Sequence, residues 1–291
     1  MILNPQRNVW RIERADRAAV LIDAAVYFRA LRETLINARS TVFILGWDLD
    51  SRTRLVGESG KAEDGFPESF LDFLNELVRQ RPRLIIHLLV WDYSVLYSLE
   101  RELLPAFTLR WRMPRRIRYC LDDDLPVGAS HHQKVVVVDD TVAFVGGLDV
   151  TIRRWDTPQH RPDDPNRIDP SGAPYPPFHD VQAMVDGKAA QALAGLVRER
   201  WVRGACERAP PLRPRGDPWP QSIVPDLTDV EVGIARTRPA FEEKADIREC
   251  EALFLDSVDC CERTMFIENQ FLTATRFVER AWPASAAASG T

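Results

Sequence analysis

The chain has 291 residues, of which 45% are hydrophobic and 28% are charged, and its formal net charge at pH 7 is −5. This composition suffices for one large or two ordinary globular domains and excludes a disordered chain. The mildly negative charge argues against a general nucleic-acid binder, and no apolar run reaches the roughly 18 residues that cross a bilayer. We therefore expect a soluble globular protein.

The N-terminus and the cysteines predict a cellular location. The first residues contain no apolar core followed by a small-residue cleavage site. The cysteines are odd in number and lack paired metal-ligand spacing, which predicts reduced thiols and no zinc site. They are Cys120, Cys206, Cys250, Cys260 and Cys261. The expected location is the cytoplasm, with peripheral contact at a membrane surface as an option.

Helices and strands alternate along most of the chain. Apolar residues recur at helical spacing from Asp16 to Ser40, and continuous apolar runs without polar alternation mark several strands. Such strands are covered on both faces, which indicates an α/β layered fold. After the first helix, the predicted elements are strand 41–49, helix 67–80, strand 84–91, strands 133–140 and 142–147, strand 179–187 and helix 188–204.

Irregular segments divide this pattern. Residues 153–178 are rich in Pro, Asp and Arg, which predicts a long loop near the strand ends, where loops often shape a site. A proline-rich stretch then predicts a linker. The predicted organisation is a catalytic domain at 1–204, a linker at 205–225 and an incomplete second domain at 226–291.

A short internal repeat supports the second domain. Residues 28–47 predict a helix followed by the strand T-V-F-I, and residues 250–270 predict a helix followed by T-M-F-I. The offset is too large for a solenoid period but suits two similar α/β halves. One short match is weak alone, because a helix leading into such a strand recurs in many α/β proteins.

One segment, S-H-H-Q-K-V-V-V-V-D-D, holds the residues best suited to catalysis. His132 and Lys134 are two residues apart on a predicted strand, so both side chains leave the same face. A neutral imidazole can attack phosphorus while an ammonium offsets the charge on the phosphoryl oxygens, and this chemistry requires no metal. Asp139 lies an odd step away, which predicts an orienting or structural role at the strand end.

Further candidates follow on the next strand. Gly146 and Gly147 let the backbone approach a neighbour or a bound phosphate, although a simple bulge is the alternative. Asp149 and Asp156 are each candidates to hydrogen-bond an imidazole and fix its tautomer, or they are surface carboxylates. We predict His132, Lys134 and Asp139 as catalytic, and Gly146, Gly147 and Asp149 as substrate-binding, with no metal and no cofactor.

A cluster of arginines precedes this motif. Its members are Arg110, Arg112, Arg115, Arg116 and Arg118. The cluster is either a solvated edge or a patch that meets anionic lipid headgroups or a substrate phosphate.

H-x-K-x-x-x-x-D, followed after six residues by Gly-Gly, resembles the defining motif of the phospholipase D superfamily. The phrases HHQKVVVVDDTVAFVGGLDVT, RRWDTPQH and PPFHDVQAMVDG look like the N-terminal half of phosphatidylcholine-type phospholipases D, and the likeness covers roughly residues 8–204. It implies a mixed β-sheet flanked by helices. It also implies two halves that each supply one His-Lys pair, one histidine forming a phosphohistidine and the other protonating the leaving alcohol.

This chain departs from that pattern because it holds one motif only. No histidine occurs after His179, which predicts a truncated or frame-shifted second half and leaves the activity of a monomer in question. A homodimer about a two-fold axis would bring two copies of His132 and Lys134 together, but the start of the second half would occupy the surface it needs.

Three functions remain open from the sequence. The first is a phosphodiesterase or phosphatidyltransferase acting on phospholipids. The second is a nucleic-acid phosphodiesterase, which the net acidity disfavours, so no nucleic-acid partner is expected. The third is an inactive remnant that binds a phosphate-bearing lipid.

Overall fold

A computed structural model describes residues 2–92, 113–204, 208–270 and 273–282. The chain forms two compact units. The larger unit comprises Arg14–Val230, and the smaller unit comprises Met1–Glu13 with Glu231–Thr291. Two members of the predicted arginine cluster, Arg110 and Arg112, lie outside the described residues, so the proposed lipid-binding patch stays a prediction.

An eight-stranded sheet organises the fold, with the order β4-β3-β2-β5-β6-β7-β1-β8. The pairs β2–β3 and β3–β4 are parallel, whereas β5 pairs antiparallel with β2 and β6, and β7 pairs antiparallel with β6 and β1. The predicted mixed sheet is therefore confirmed. The strands are β1 Arg11–Ile22, β2 Thr41–Gly46, β3 Ile85–Trp91, β4 Ile117–Asp122, β5 Lys134–Val138, β6 Val142–Gly146, β7 Val181–Asp186 and β8 Leu227–Ile234.

Helices cover both faces of the sheet in the larger unit. They are α1 Asp23–Asn37, α2 Phe70–Gln80 and α3 Gly187–Arg203. Val42 and Ile44 belong to the core cluster that contains the buried side chains of α1 and α2. The intervening Phe43 stacks on His87 at 4.3 Å and meets Trp201 of α3 edge-on at 6.1 Å. Successive β2 side chains thus enter two apolar layers, as expected for strands with no polar alternation.

The predicted first helix begins later than its sequence pattern indicates. Residues 16–22 belong to strand β1, and the helix begins at Asp23. Along β1, Ala19 and Leu21 are buried while Val20 and Ile22 are exposed, which is the two-residue period of a strand. The prediction was wrong here because a short apolar run satisfies helical and strand periods alike. Strand β4 was also missed.

The proline-rich segment 208–225 follows the surface of the larger unit. Its Trp219 is buried in the main core cluster. The amide of Arg213 donates to Asp140 at 2.7 Å, and the amide of Arg215 donates to the carbonyl of Asp139 at 3.1 Å. This segment contributes to the core, while the domain boundaries predicted around it stay predictions.

In the smaller unit, the described residues after β8 form two short strands and two helices. They are β9 Thr237–Arg238, β10 Ile247–Arg248, α4 Glu249–Asp259 and α5 Thr275–Ala281. The helix predicted from the internal repeat is present as α4, but residues 264–267 form no strand. Phe266, which corresponds to the fully buried Phe43, is 86% exposed. The T-M-F-I segment has strand-forming residues but no strand beside it among the described residues, so the strand prediction was wrong.

Cysteine chemistry differs from the expectation at one position. Cys250, Cys260 and Cys261 are free thiols, whereas Cys120 on β4 is disulfide-bonded. The prediction of uniformly reduced cysteines is therefore wrong at Cys120. Among the described helices, none combines the length and apolar character that a membrane span requires.

Candidate active site

The candidate site lies at one end of the central strands. Strands β2, β3 and β6 end there, and β5 and β7 begin there. Lys134 of β5 pairs with Gly146 of β6, which in turn pairs with Gln182 of β7. Side chains that are distant in sequence therefore meet at this edge because the strand register aligns them.

Lys134 is held in place by a buried carboxylate. Its Nζ lies 3.0 Å from Oδ2 of Asp149 and donates to the carbonyl oxygen of His132 at 3.3 Å. The side chains of Lys134 and Asp149 are only 6% and 3% exposed. Oδ1 of Asp149 accepts the Trp47 amide at 2.9 Å, and a Cβ at Gly46 would lie 2.9 Å from it. Burial raises the pKa of Asp149, and the Lys134 ammonium opposes that rise.

His132 presents an accessible imidazole beside this pair. The residue is exposed, and its ring centroid lies 6.0 Å from that of Trp47. Partial burial of the ring lowers the pKa of His132, and the nearby Lys134 charge lowers it further, while Asp180 opposes both. The lowered pKa favours the uncharged imidazole, which has the nitrogen lone pair that a nucleophile needs.

Asp180 lies against the glycine pair, and its charge acts on the His132 imidazole. A Cβ at Gly147 would overlap the Asp180 carboxylate, and a Cβ at Gly146 would overlap Gln182. Burial raises the pKa of Asp180, while the Val181 amide and Lys134 lower it. The missing side chains thus let Asp180 approach the strand end where Lys134 lies.

The residues that flank His132 are anchored to β4 and α3. Nε2 of His131 lies 3.0 Å from Oδ1 of the buried Asp122. Arg200 donates to Oδ2 of Asp122 at 2.6 and 3.1 Å and to Oε1 of Gln133 at 2.6 Å. Burial would raise the pKa of Asp122, but His131 and Arg200 hold it at about 2, while burial lowers the pKa of Arg200. Both sequence neighbours of His132, His131 and Gln133, are thereby anchored.

Comparison with known proteins supports one superfamily. The model of the family described as Phospholipase D matches residues 122–215, a range that contains His132, Lys134, the glycine pair and Asp180. This match supports membership of the phospholipase D superfamily. It is 27% identical over 208 residues to Phospholipase D C of Dictyostelium discoideum, covering 62% of this chain and 12% of that protein.

A plant phospholipase D and a bacterial structure are also similar to this chain. Phospholipase D alpha 1 of Vigna unguiculata is 23% identical over 315 residues, covering 84% of this chain and 39% of that protein. Among solved structures, the phospholipase D family member Nuc from Salmonella typhimurium is 12% identical, with a TM-score of 0.40 over 66% of this chain and 99% of that chain. The chain spans far less than two thirds of these curated phospholipases D.

The structure brings together most predicted site residues but separates one. His132, Lys134, Gly146, Gly147 and Asp149 all lie at the same edge. Asp139 of the superfamily motif lies at the other end of β5, about 17 Å away along an extended strand. Its carboxylate accepts the amides of Arg39, Ser40 and Thr41 at 2.6–2.9 Å, and it is 1% exposed. Asp139 therefore anchors the start of β2.

A second group of titratable side chains combines Asp23 at the β1–α1 junction with two histidines of the segment between β6 and β7. Asp23, His160 and His179 place one ligand atom each within 4.8 Å of one another, so they could hold a metal ion. Asp23 Oδ1 lies 2.7 Å from Nδ1 of His179, and its Oδ2 lies 3.3 Å from Nε2 of His160. His160 also meets Oδ2 of Asp156 at 3.1 Å, so Asp156 orients an imidazole as the sequence suggested, but not that of His132.

Sequence reasoning missed Asp180 and Asp23. Asp180 is 48 positions beyond His132, and only strand register places it opposite Gly147. Asp23 looked like part of a helix, whereas it sits at the β1–α1 junction with a φ of 66°, a left-handed conformation that is uncommon outside glycine. The available signal was a pair of histidines, His160 within the polar loop and His179 directly after it.

Proposed function

We propose that this chain acts on phospholipid phosphodiesters, with His132 as the nucleophile and a phosphohistidine as the intermediate. The observation that supports this most directly is an accessible imidazole of lowered pKa beside a buried, fixed ammonium. The superfamily relationship and the names of the relatives support the lipid substrate. Hydrolysis and transfer of the phosphatidyl group to an alcohol would share this intermediate.

In the proposed first step, a nitrogen of His132 forms a bond to phosphorus while the bond from phosphorus to the headgroup oxygen breaks. Lys134 offsets the negative charge on the non-bridging oxygens, and Asp149 keeps its ammonium in position. The charge of Asp180 acts on His132 and would favour the positive charge that the imidazole acquires on attack. The departing oxygen leaves with the bonding electron pair and needs a proton unless it is a stable anion.

The chain supplies one His-Lys pair of this kind. No second pair is therefore present to protonate the departing alcohol. Choline is a poor leaving group without a general acid, because its alkoxide is strongly basic. A p-nitrophenolate needs no proton near neutral pH. We therefore expect phosphatidyl-p-nitrophenol to react with His132 far faster than phosphatidylcholine does.

The test compares these two lipids in mixed micelles with purified chain. We expect a burst of about one p-nitrophenolate per chain, as for a covalent intermediate that forms faster than it decays. His132→Asn should abolish the burst, and Lys188→Met, a control on the exposed side of α3, should leave it intact. Absence of a burst with the wild-type chain would contradict the proposal.

The same preparations distinguish the two other readings. Cleavage of a DNA oligonucleotide that depends on His132, without reaction of the lipid ester, would favour a nucleic-acid phosphodiesterase. Binding to phosphatidylcholine vesicles with no burst and no DNA cleavage would leave a lipid-binding remnant.

A further inference from the structure

Arg154 differs from the other arginines around the site because its guanidinium forms no ion pair with a described carboxylate. Its Nη1 donates to the carbonyl of Arg153 at 3.2 Å, and its Cζ lies 4.8 Å above the ring of Phe178. No carboxylate lies within ion-pair distance of it among the residues that the structure describes. Most of its five N–H donors are therefore free to bind a ligand.

Three other described cations near the site each contact a carboxylate. Arg153 donates to Oδ2 of Asp169 at 2.8 and 3.2 Å, and Arg167 donates to Oδ1 of Asp156 at 3.1 Å. Lys134 lies 3.0 Å from Asp149. Among these described cations, Arg154 is the one with no carboxylate within ion-pair distance.

The position of Arg154 is fixed relative to the site. Phe178, on which it stacks, donates its amide to Oδ2 of Asp156 at 2.9 Å, and Asp180 follows two residues later against Gly147. Burial raises the pKa of Asp180, and the charges of Lys134 and Arg154 both act to lower it. Arg154 and Lys134 therefore bring their positive charges to the same carboxylate, next to His132.

The charges at the site suggest a role for Arg154 in binding an anionic substrate. A phosphodiester is an anion, and the positive charge of Lys134 is already offset by Asp149. Asp180 adds a further carboxylate whose charge acts on His132. Arg154 adds a positive charge that acts on Asp180, and no described carboxylate lies within ion-pair distance of its donors.

We propose that Arg154 binds substrate, donating two hydrogen bonds from its guanidinium to non-bridging oxygens of the phosphodiester that His132 attacks. This inference rests on the proposed function. A planar guanidinium matches two oxygens of one phosphate, which a single ammonium does not. Phe178 holds the guanidinium plane in place, so little side-chain entropy is lost on binding.

The test uses inorganic phosphate as the probe, which needs no turnover. Phosphate is titrated into the full chain while the His132 ring protons are followed by NMR. Arg154→Gln should weaken phosphate binding about tenfold or more. Arg154→Lys should weaken it about threefold to tenfold, because lysine keeps the charge but lacks the paired, planar N–H donors of a guanidinium. Arg153→Gln is the matched control and should change binding less than about twofold.

Each outcome decides the inference. Equal phosphate affinity for Arg154→Gln and Arg153→Gln, or no binding by the wild-type chain, would overturn it. If the p-nitrophenolate burst persists at the wild-type rate in Arg154→Gln, the inference fails while the proposed function stands. If phosphate binding depends on Arg154 but no burst occurs, the binding role stands and the proposed chemistry fails.

Discussion

At the sheet edge that bears the site, His131 and His132 are adjacent in sequence but meet different surroundings. His131 is 7% exposed and lies 3.0 Å from Asp122, whereas His132 is exposed beside Trp47 and Lys134. The first histidine therefore anchors the segment, and the second is available for reaction. The two-residue step from His132 to Lys134 was enough to predict this pair, but the anchoring role of His131 depends on strand β4.

We predict that the pKa of His132 lies below the ordinary value of 6.5 and rises in Lys134→Met. The ammonium disfavours the imidazolium, so its removal raises the pKa, while partial burial of the ring still keeps it low. An NMR titration of the His132 ring proton measures both values, with Lys188→Met as the control lysine. A His132 pKa that falls or stays unchanged in Lys134→Met would show that the two side chains do not interact.

Activity should follow the same titration. The neutral imidazole is the reactive form, so the rate of the burst should fall only as the pH drops through the lowered pKa of His132.

Gly147 provides a second prediction at this scale. A Cβ there would overlap the Asp180 carboxylate, so Gly147→Ala should lower the free energy of unfolding by about 1–3 kcal/mol and perturb the His132 titration. Gly195 in α3 is the control, because a Cβ there meets no atom within 4 Å and alanine favours a helix by about 0.5–1 kcal/mol. Urea denaturation measures both. An unchanged stability for Gly147→Ala would mean that Asp180 does not lie against the glycine.

Strand β5 separates two parts of the superfamily motif that are close in sequence. His132 precedes its first residue and Asp139 follows its last, so the motif is divided between opposite ends of the sheet. The odd spacing predicted that Asp139 does not share the His132 face. It could not predict the three amides of Arg39, Ser40 and Thr41, which belong to the start of β2 and the turn before it.

We predict that Asp139→Ala lowers the free energy of unfolding by at least about 2 kcal/mol, because buried amides lose their acceptor. Asp139→Asn should cost less, since it keeps a carbonyl oxygen and tolerates the left-handed backbone at a φ of 50°. Thermal unfolding with the His132 titration as the second readout checks this. A shifted His132 pKa in a folded Asp139→Asn variant would instead indicate an orienting role.

The other elements show where sequence patterns suffice. Continuous apolar runs predicted β2, β3, β5 and β6, because strands covered on both faces need no polar residues. The pattern failed at β1, where a short apolar segment fits a helix equally well. It also failed at residues 264–267, where strand-forming residues have no described strand to pair with.

Over the whole molecule, the sequence predicted the layered architecture and the chemical centre of the site. The mixed sheet with helices on both faces follows from local patterns, and the family from one motif with its flanking phrases. The long-range contacts of Asp180, Asp23 and Arg154 could not be predicted, because they depend on strand register and on the course of one polar loop. These contacts supply charged groups beyond the motif itself.

The most direct test of the central claim locates the covalent intermediate. The chain is reacted with phosphatidyl-p-nitrophenol, quenched in alkali, in which phosphohistidine survives, and analysed by peptide mass spectrometry. We predict a phosphatidyl adduct on the peptide that contains His132, assigned to that residue by fragmentation and absent in His132→Asn. Release of p-nitrophenolate with no adduct, or with an adduct on a different residue, would contradict the role assigned to His132.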